Sequence, residues 1–209
     1  MQQNQNLPLR ELLEDAWEEV YDLHDLMVIE EDAQDLSLGS IEIKSSSFSG
    51  CSFLDSRFQG TGFDHVTFRN CDLSVADLQG ASFFRVRFEE CKIAGAGFAE
   101  TTLQHVVFGH CKGEFVNFSR SRLRSVRFAG AQLRGGFFDG CRFERVVFSQ
   151  CGLVTADFSG TRLAGISFAD SDIRCIRLRE VVSPELKGLR VSPEQAVGLA
   201  RLLGVEIGE

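Results

Sequence analysis

Large apolar residues return at every fifth position along most of the chain, from Leu38 to Leu178. The 29 positions of this series hold sixteen Phe, nine Leu, three Ile and one Gly, Gly113. The residue two places before each of them is nearly always small or β-branched, and the other three places are polar, charged or glycine. A helix repeats its buried face about every 3.6 residues and a strand about every 2. A fixed spacing of five therefore indicates a repeat architecture.

A second period of twenty residues lies over the first. Val-x-Phe or Ile-x-Phe recurs at this interval, and so does a cysteine on another column. These β-branched residues and cysteines are Val66, Val86, Val106, Val126, Val146 and Ile166, and Cys51, Cys71, Cys91, Cys111 and Cys151. Four units of five therefore make one turn of a four-sided coil. The sequence predicts an all-β solenoid of about seven coils, stacked about 4.8 Å apart around a dry, close-packed axis.

Gly113 is the one position of the series that leaves the axis without a large side chain. Phe115 lies two residues further on, where the pattern places an outward residue. A local twist that turns Phe115 inward would fill the space. We expect such a twist because protein interiors tolerate few voids.

Several repeats resemble those of a known family. The runs Ala76–Gly80, Ala156–Gly160 and Ser171–Ile173 are similar to the repeats of the pentapeptide-repeat proteins. The resemblance covers residues 36–180 and implies a right-handed quadrilateral β-helix. Most members have no assigned activity. The best understood are quinolone-resistance and topoisomerase-protecting proteins, which are acidic dimeric rods that imitate duplex DNA.

The sequence predicts three segments, at residues 1–35, 36–180 and 181–209. In the first, Leu9, Leu12, Leu13, Ala16 and neighbouring apolar residues up to Leu23 have helical spacing, with acidic residues between them. We expect an acidic amphipathic helix over residues 8–35 that caps the solenoid, because a first coil exposes apolar surface and strand edges. Contact between its acidic face and a basic partner is the alternative.

The last segment contains a capping box. Ser192 and Gln195 frame Pro193 at the first helical position, and Gly204 ends the predicted helix. Val205–Ile207 alternates like a short strand. This tail is similar to that of the topoisomerase-protecting members, in which a C-terminal helix joins two rods. The resemblance implies a homodimer, and the apolar residues left for it are Leu202, Val205 and Ile207. A simple cap is the alternative.

Charge is distributed unevenly along the chain, whose formal net charge is −8. Residues 1–42 carry twelve acidic side chains and one basic side chain, whereas residues 43–180 carry fourteen and eighteen. One side of the solenoid holds most of the excess, and we call its arginines the basic stripe: Arg85, Arg122, Arg124, Arg142, Arg145 and Arg162. The stripe is a candidate binding surface for an anionic group. Arginines that are merely solvated are the alternative.

Other chemistry is sparse. Six of the seven cysteines fall on inward positions, so free, buried thiols are expected rather than disulfides or zinc ligands. His65 and His105 lie about two coils, roughly 10 Å, apart, too far for a shared metal. The pattern predicts no cofactor, metal or catalytic site. No basic region followed by an apolar run opens the chain and no window is apolar enough for a bilayer, so we expect a cytoplasmic protein.

Two functions follow. The first is a non-catalytic, rigid protein-protein interaction surface. The alternative, implied by the resemblance, is a DNA mimic that binds and protects type II topoisomerase (DNA gyrase) and confers quinolone resistance. Direct nucleic-acid binding is not expected, because the basic side lacks the interleaved aromatic residues that single-stranded nucleic acids require.

Overall fold

A computed structural model of the protein describes residues 8–19, 22–179, 186–202 and 204–206. The described chain forms a parallel β-solenoid with one helix near each end. These helices are Leu9–Glu18 (α1) and Pro193–Leu202 (α2). The predicted fold, an all-β solenoid with helical ends, is confirmed.

Fourteen short strands, numbered β1–β14 in chain order, are described in the solenoid, and they form two parallel sheets of seven. The first sheet contains Leu23–His24 (β1), Glu42–Lys44 (β3), Gly62–Asp64 (β5), Ser82–Phe84 (β7), Thr102–Gln104 (β9), Arg122–Arg124 (β11) and Arg142–Glu144 (β13). The second contains Met27–Ile29 (β2), Ser47–Ser49 (β4), Thr67–Arg69 (β6), Arg87–Glu89 (β8), Val107–Gly109 (β10), Arg127–Ala129 (β12) and Val147–Ser149 (β14).

Equivalent residues of successive coils lie side by side with a register of twenty. Leu103 pairs with Leu123, and Leu123 in turn with Phe143. The two remaining sides of each coil stack through single parallel bridges, such as Asp72 to Lys92 and Asp77 to Gly97. All four sides thus bond to the coils before and after them. The side-chain columns have fixed spacing as a result.

Stacked phenylalanine rings fill the axis. One stack runs along the second sheet, with ring centroids 4.8 to 5.2 Å apart, and contains Phe48, Phe68, Phe88, Phe108, Phe128 and Phe148. A second stack, at 4.9 to 5.3 Å, contains Phe98, Phe118, Phe138 and Phe158. The two stacks meet edge to face, an arrangement that aromatic pairs favour.

The small inward positions carry hydroxyls and thiols that bond to the previous coil. Ser121 Oγ donates to the carbonyl of Phe98 at 2.7 Å and accepts the Thr101 N–H at 3.0 Å. Cys111 Sγ lies 3.4 Å from the carbonyl of Phe88 in the same arrangement. Among the described residues, every buried side-chain nitrogen and oxygen has a hydrogen-bond partner. Inward polar groups therefore add no desolvation penalty.

The corner residue two places after each inward centre adopts a positive φ in most units. Glycine occupies it at several corners, for example Gly80 and Gly140, with φ of 70° and 62°. Glycine suits these corners because it adopts a positive φ without steric cost. Side chains other than glycine also accept this conformation here, including Val75 with φ of 51°. The backbone hydrogen bonds between coils on both sides of each corner stabilise this conformation against its local strain.

The N-terminal helix is shorter than the predicted helix over residues 8–35. α1 ends at Glu18, and β1 and β2 form part of a first coil that pairs with β3 and β4. The five-residue period continues back through Leu23, Val28 and Ala33, which replace the usual phenylalanines. Leu9, Leu12, Leu13 and Ala16 of α1 are buried on this coil, and α1 thus lies over the start of the solenoid.

The expectation that Phe115 turns inward is wrong. Phe115 is 58% exposed, and its ring lies against Gly135 of the next coil. The space above Gly113 is taken by the side chains of Ile93 and Leu133, which would lie 2.9 and 3.0 Å from a Cβ at residue 113. Two neighbouring aliphatic side chains therefore close the gap without a change in register.

The cysteines behave as predicted. Six are buried and free, and Cys175 is free and exposed. Burial raises the pKa of the Cys111 and Cys141 thiols to about 12. These thiols therefore remain protonated, and unreactive, at neutral pH.

The axis holds little empty space. A cavity of about 10 Å³ lies near its N-terminal end, between Leu13 of α1 and a ring of phenylalanines that includes Phe48 and Phe63. Its lining is apolar, and a water molecule needs about 10–15 Å³ together with polar partners. The cavity therefore has no room for a ligand.

The predicted C-terminal capping box is confirmed. Gln195 Oε1 accepts the Ser192 N–H at 2.8 Å, and Ser192 Oγ accepts the Gln195 N–H at 3.3 Å. Gln195 Nε2 also donates to the carbonyls of Phe168 and Ser171 at 2.9 and 2.6 Å, which attaches α2 to the last coils. Gly204 follows with φ of 74°.

Candidate binding face

The outer side of the first sheet carries the basic stripe. In each three-residue strand the middle side chain points inward and the outer two point to solvent, as in β11, where Leu123 is buried between Arg122 and Arg124. We call these outward residues of the first sheet, with the corner residue after each strand and Arg162, the charged face. Because its strands are ladder-bonded on both sides, the charged face is rigid.

Three arginines of the stripe share one column. Arg122 pairs directly with Arg142 in the sheet. Thr161 Oγ1 accepts the Cys141 N–H at 2.8 Å, so Arg162 continues the column on the next coil. All three arginines are exposed, and none forms an ion pair among the described residues. Three arginines on successive coils about 4.8 Å apart thus present an uncompensated positive column.

Two further arginines of the stripe share the carboxylate of Glu144. Arg124 Nε lies 3.3 Å from Glu144 Oε1, and Arg145 Nη2 lies 3.1 Å from the same oxygen. All three side chains are more than half exposed, so these ion pairs contribute little to stability. Glu144 balances one of the two positive charges, so the two arginines together keep one positive charge that can bind an anion.

Arg85 lies apart from the other five stripe arginines. Its guanidinium lies 5.0 Å from the ring centroid of Phe84 and 3.0 Å from Nε2 of His65, which in turn contacts Asp64. His105 packs edge-on against the other side of Phe84, at 6.0 Å. The structure therefore brings five stripe residues together and separates Arg85, which a cation–π contact holds near the middle of the face.

The opposite end of the same face is acidic. Asp22, Asp25, Glu42 and Asp64 are found there, with Lys44 as the one lysine. Lys44 Nζ donates to Asp22 at 2.9 Å, and this bond raises the pKa of the Lys44 ammonium. Sequence reasoning missed Asp22 and Asp25, because it assigned them to the helix. The continued five-residue period at Leu23, Val28 and Ala33 could have revealed them.

Two of the predicted dimerisation residues, Leu202 at the end of α2 and Val205 after it, are exposed. Leu202 and Val205 are 45% and 50% exposed, whereas Leu199 packs against the core. Val205 and Glu206 form no strand, and Ile207 lies outside the described residues. The dimer through this segment stays a prediction.

The sequence also predicts no metal site and no membrane-spanning segment. Within the described chain, no group of three His, Cys, Asp or Glu side chains could hold a metal ion. No described helix is both long and apolar enough to cross a membrane. The charged face is therefore the best-defined candidate site of the described structure.

The fold and the charged face define a class of protein, a rigid β-solenoid of five-residue repeats. Two family models match the chain. One, described as a pentapeptide repeat region, matches residues 81–138, and the other, described as pentapeptide repeats in eight copies, matches residues 44–74 and 127–165. Together they cover more than half of the chain, which therefore belongs to the pentapeptide-repeat family. No curated protein matches it.

Several solved structures resemble the chain. QnrB1, a plasmid-mediated fluoroquinolone resistance protein, is 19% identical, with 90% of this chain and 100% of that chain covered and a TM-score of 0.47. HetL from the cyanobacterium Nostoc sp. strain PCC 7120, involved in heterocyst differentiation regulation, is 14% identical, with 88% and 94% covered and a TM-score of 0.41. A pentapeptide repeat protein from the Arabidopsis thaliana thylakoid lumen is 18% identical, with 60% and 67% covered and a TM-score of 0.27. Such low scores carry no functional information.

Proposed function

We propose that the protein is a non-catalytic, rigid interaction rod that binds a protein partner through the charged face. The observation that carries this proposal is the column of Arg122, Arg142 and Arg162. These side chains are exposed, stacked and without an ion pair in the described chain. Like charges directly opposite each other in a sheet are destabilising, so the fold gains nothing from the column. A role in binding accounts for its presence.

The chemistry of the column favours carboxylates. Guanidinium groups bind carboxylates with two parallel hydrogen bonds, and their fixed spacing favours a partner that presents acidic side chains at a matching interval. Single-stranded nucleic acid would need exposed aromatic rings for stacking. Phe84 is the aromatic residue of the charged face, and Arg85 and His105 already lie against it. We therefore propose an acidic protein surface as the partner.

Affinity capture from the host, followed by mass spectrometry, tests this function. The full-length protein is compared with a variant that carries Arg122→Gln, Arg142→Gln and Arg162→Gln. The matched control removes the same number of exposed arginines from other sides of the rod, with Arg127→Gln, Arg134→Gln and Arg177→Gln. We expect a partner that the first variant loses and the control retains. Equal recovery by all three proteins would contradict the proposal.

DNA mimicry is the second candidate. A mimic that occupies the DNA-binding surface of DNA gyrase must present negative charge along its length, because that surface attracts a polyanion. Residues 43–180 instead carry eighteen basic and fourteen acidic side chains. A net excess of acidic side chains is found in residues 1–42, which include α1 and the first coil. We therefore rank the DNA-mimic function, in which the protein binds and protects gyrase and confers quinolone resistance, below the interaction-rod function.

Two further predictions belong to this proposal. A homodimer through the C-terminal segment is supported by the exposure of Leu202 and Val205. A cytoplasmic location is supported by the seven free thiols, because disulfides form readily in oxidising compartments.

A further inference from the structure

The charged face is divided into an acidic half and a basic half. At the N-terminal end, four carboxylates face one lysine on β1, β3, β5 and their corners. At the C-terminal end, the five clustered stripe arginines face one carboxylate, Glu144. Between them β7 and β9 present the uncharged residues Ser82, Phe84, Thr102 and Gln104, and the corners after these two strands carry Arg85 and His105. Charge therefore changes sign along one flat surface.

We infer that the charged face binds a second copy of this chain in antiparallel orientation, face to face. A two-fold axis that runs parallel to the strands, at the level between β7 and β9, brings the acidic half of each copy onto the basic half of the other. The inference rests on the proposed function, because it uses the same face, and it names the partner. A two-fold interface is self-complementary, so every contact occurs twice.

This axis fixes the pairs. Strands at equal distances from it lie opposite each other, so β3 of one copy faces β13 of the other, and β5 faces β11. Glu42 is then placed opposite Arg142. Asp64 lies opposite Arg124 and diagonal to Arg122 on the facing strand. One coil further out, Asp22 meets Arg162. Each of the three arginines of the column thereby gains a carboxylate. At the centre of the face Arg85 of one copy lies opposite His105 of the other.

These pairs cannot form within one chain. β3 and β13 are five coils apart, about 24 Å, and a salt bridge needs its atoms within about 4 Å. Within one chain the acidic half is paired in part with Lys44, but it does not reach the arginine column. In an antiparallel dimer the acidic half of each copy faces the basic half of the other, whereas a parallel copy would place like charges opposite each other.

The size of the face sets the strength of the interaction. Seven strands at about 4.8 Å give a length of about 34 Å, and a single side of the rod buries on the order of 1,000 Å² in total. This is the range of weak, transient interfaces. Because its contacts are exposed charges, the dimer should dissociate as added salt shortens the Debye length from above about 10 Å to about 4 Å.

Analytical ultracentrifugation of full-length charge-reversal variants tests the inference. Glu42→Arg places two basic side chains opposite each other at both Glu42–Arg142 contacts, and Arg142→Glu places two acidic side chains there. Every variant is made in the wild-type chain and again with Leu202→Glu, which removes the predicted C-terminal contact. The protein with Leu202→Glu alone should dimerise at tens of micromolar in about 50 mM salt and dissociate near about 500 mM. Each single variant should raise the dimer Kd at least tenfold. An equimolar mixture of the two variants should form a heterodimer, because both of its contacts then pair an arginine with a glutamate: one contact keeps the original charges and the other has them exchanged.

A Leu202→Glu variant separates this interface from the predicted C-terminal one. We expect its dimer to persist, since Leu202 lies on α2 and outside the charged face. A wild-type monomer at low salt, a dimer lost in Leu202→Glu but retained in both reversals, or a mixture no more dimeric than either variant alone overturns the inference. A monomer whose arginine column still captures a host protein leaves the proposed function standing, so the two failures are distinguishable.

Discussion

A single phenylalanine in the middle of the rod contacts rings on several sides. Phe108 is fully buried, stacked on Phe88 at 4.8 Å and on Phe128 at 5.0 Å, with edge contacts to Phe98 and Phe118. Removing its ring leaves a cavity that the ladder-bonded backbone cannot close. At this scale, each inward residue contributes to stability through its own column and the adjoining one.

We therefore expect Phe108→Ala to lower the free energy of unfolding by about 3–5 kcal/mol. The exposed control Gln79→Ser should lower it by less than about 0.5 kcal/mol. Urea unfolding followed by circular dichroism measures both. Similar losses in the two variants would mean that the five-residue register has been misassigned.

The inward hydroxyls should matter through their hydrogen bonds. Ser121→Ala leaves the Thr101 N–H without the acceptor that Ser121 Oγ provides, whereas the carbonyl of Phe98 still accepts a bond from Thr101 Oγ1 at 2.8 Å. Buried groups left unsatisfied cost about 1–3 kcal/mol, which is the expected destabilisation. The exposed Ser37→Ala variant is the control, and a loss as large there would refute the role of the inward hydroxyl.

The buried thiols make stability depend on pH in the alkaline range. An unfolded cysteine deprotonates near pH ~8.5, whereas burial raises the pKa of Cys111 and Cys141 to about 12 in the fold. The folded state therefore holds these protons more tightly. The contribution of these thiols to the free energy of unfolding is fully present below the pKa of the unfolded-state thiol. It is lost as pH rises from about 9 towards 12.

A Cys111→Ala/Cys141→Ala variant should consequently lose less stability than the wild type between about pH 8 and pH 10.5. Each thiol contributes a slope of about 1.4 kcal/mol per pH unit above the unfolded pKa, so the difference for the two thiols should be roughly 5 kcal/mol. Urea unfolding in the presence of reductant measures it. Parallel pH profiles for the two proteins would exclude the thiols as the cause.

At the scale of elements, α1 stabilises the first coil. Leu13 is fully buried and lines the apolar cavity with Phe48 and Phe63. In a solenoid each coil contacts only its neighbours, so a weakened cap should open the nearest coil first. The effect should fade along the rod.

Leu13→Ala should accordingly speed amide hydrogen exchange in β1 and β2, with exchange in β10 unchanged. Glu11→Ala, on the exposed side of α1, is the matched control. Exchange that accelerates equally in β10 would show that the rod unfolds as one unit and that α1 has no local role.

The sequence predicts most elements because one residue type recurs at fixed spacing. The unbroken register identifies the inward residues, and the capping box identifies α2. The first coil was missed because Leu23, Val28 and Ala33 are ordinary helix residues, and Leu23 also continues the helical spacing of α1. The division of the charged face was missed with it, since Asp22 and Asp25 lie on that coil. The closure of the gap at Gly113 depends on side-chain conformations that a periodic pattern does not specify.

At the scale of the whole molecule, charge separates the two functions. The rod has a basic excess over residues 43–180 and a strong acidic excess over residues 1–42. α1 is only ten residues long, about 15 Å, so its acidic side cannot imitate an extended duplex. This separation of acidic and basic charge along the molecule suits contact with a protein of complementary charge, either a host partner or a second copy of the chain.

A gyrase supercoiling assay with purified protein tests the central claim most directly, namely that the rod binds proteins through opposed charges and does not imitate DNA. We predict neither inhibition of supercoiling nor relief of quinolone poisoning at micromolar concentration, because the basic column of Arg122, Arg142 and Arg162 would be repelled by a DNA-binding surface. Inhibition or protection at that concentration, lost when Glu11, Asp15 and Glu18 are changed to glutamine, would contradict the account and favour the mimic.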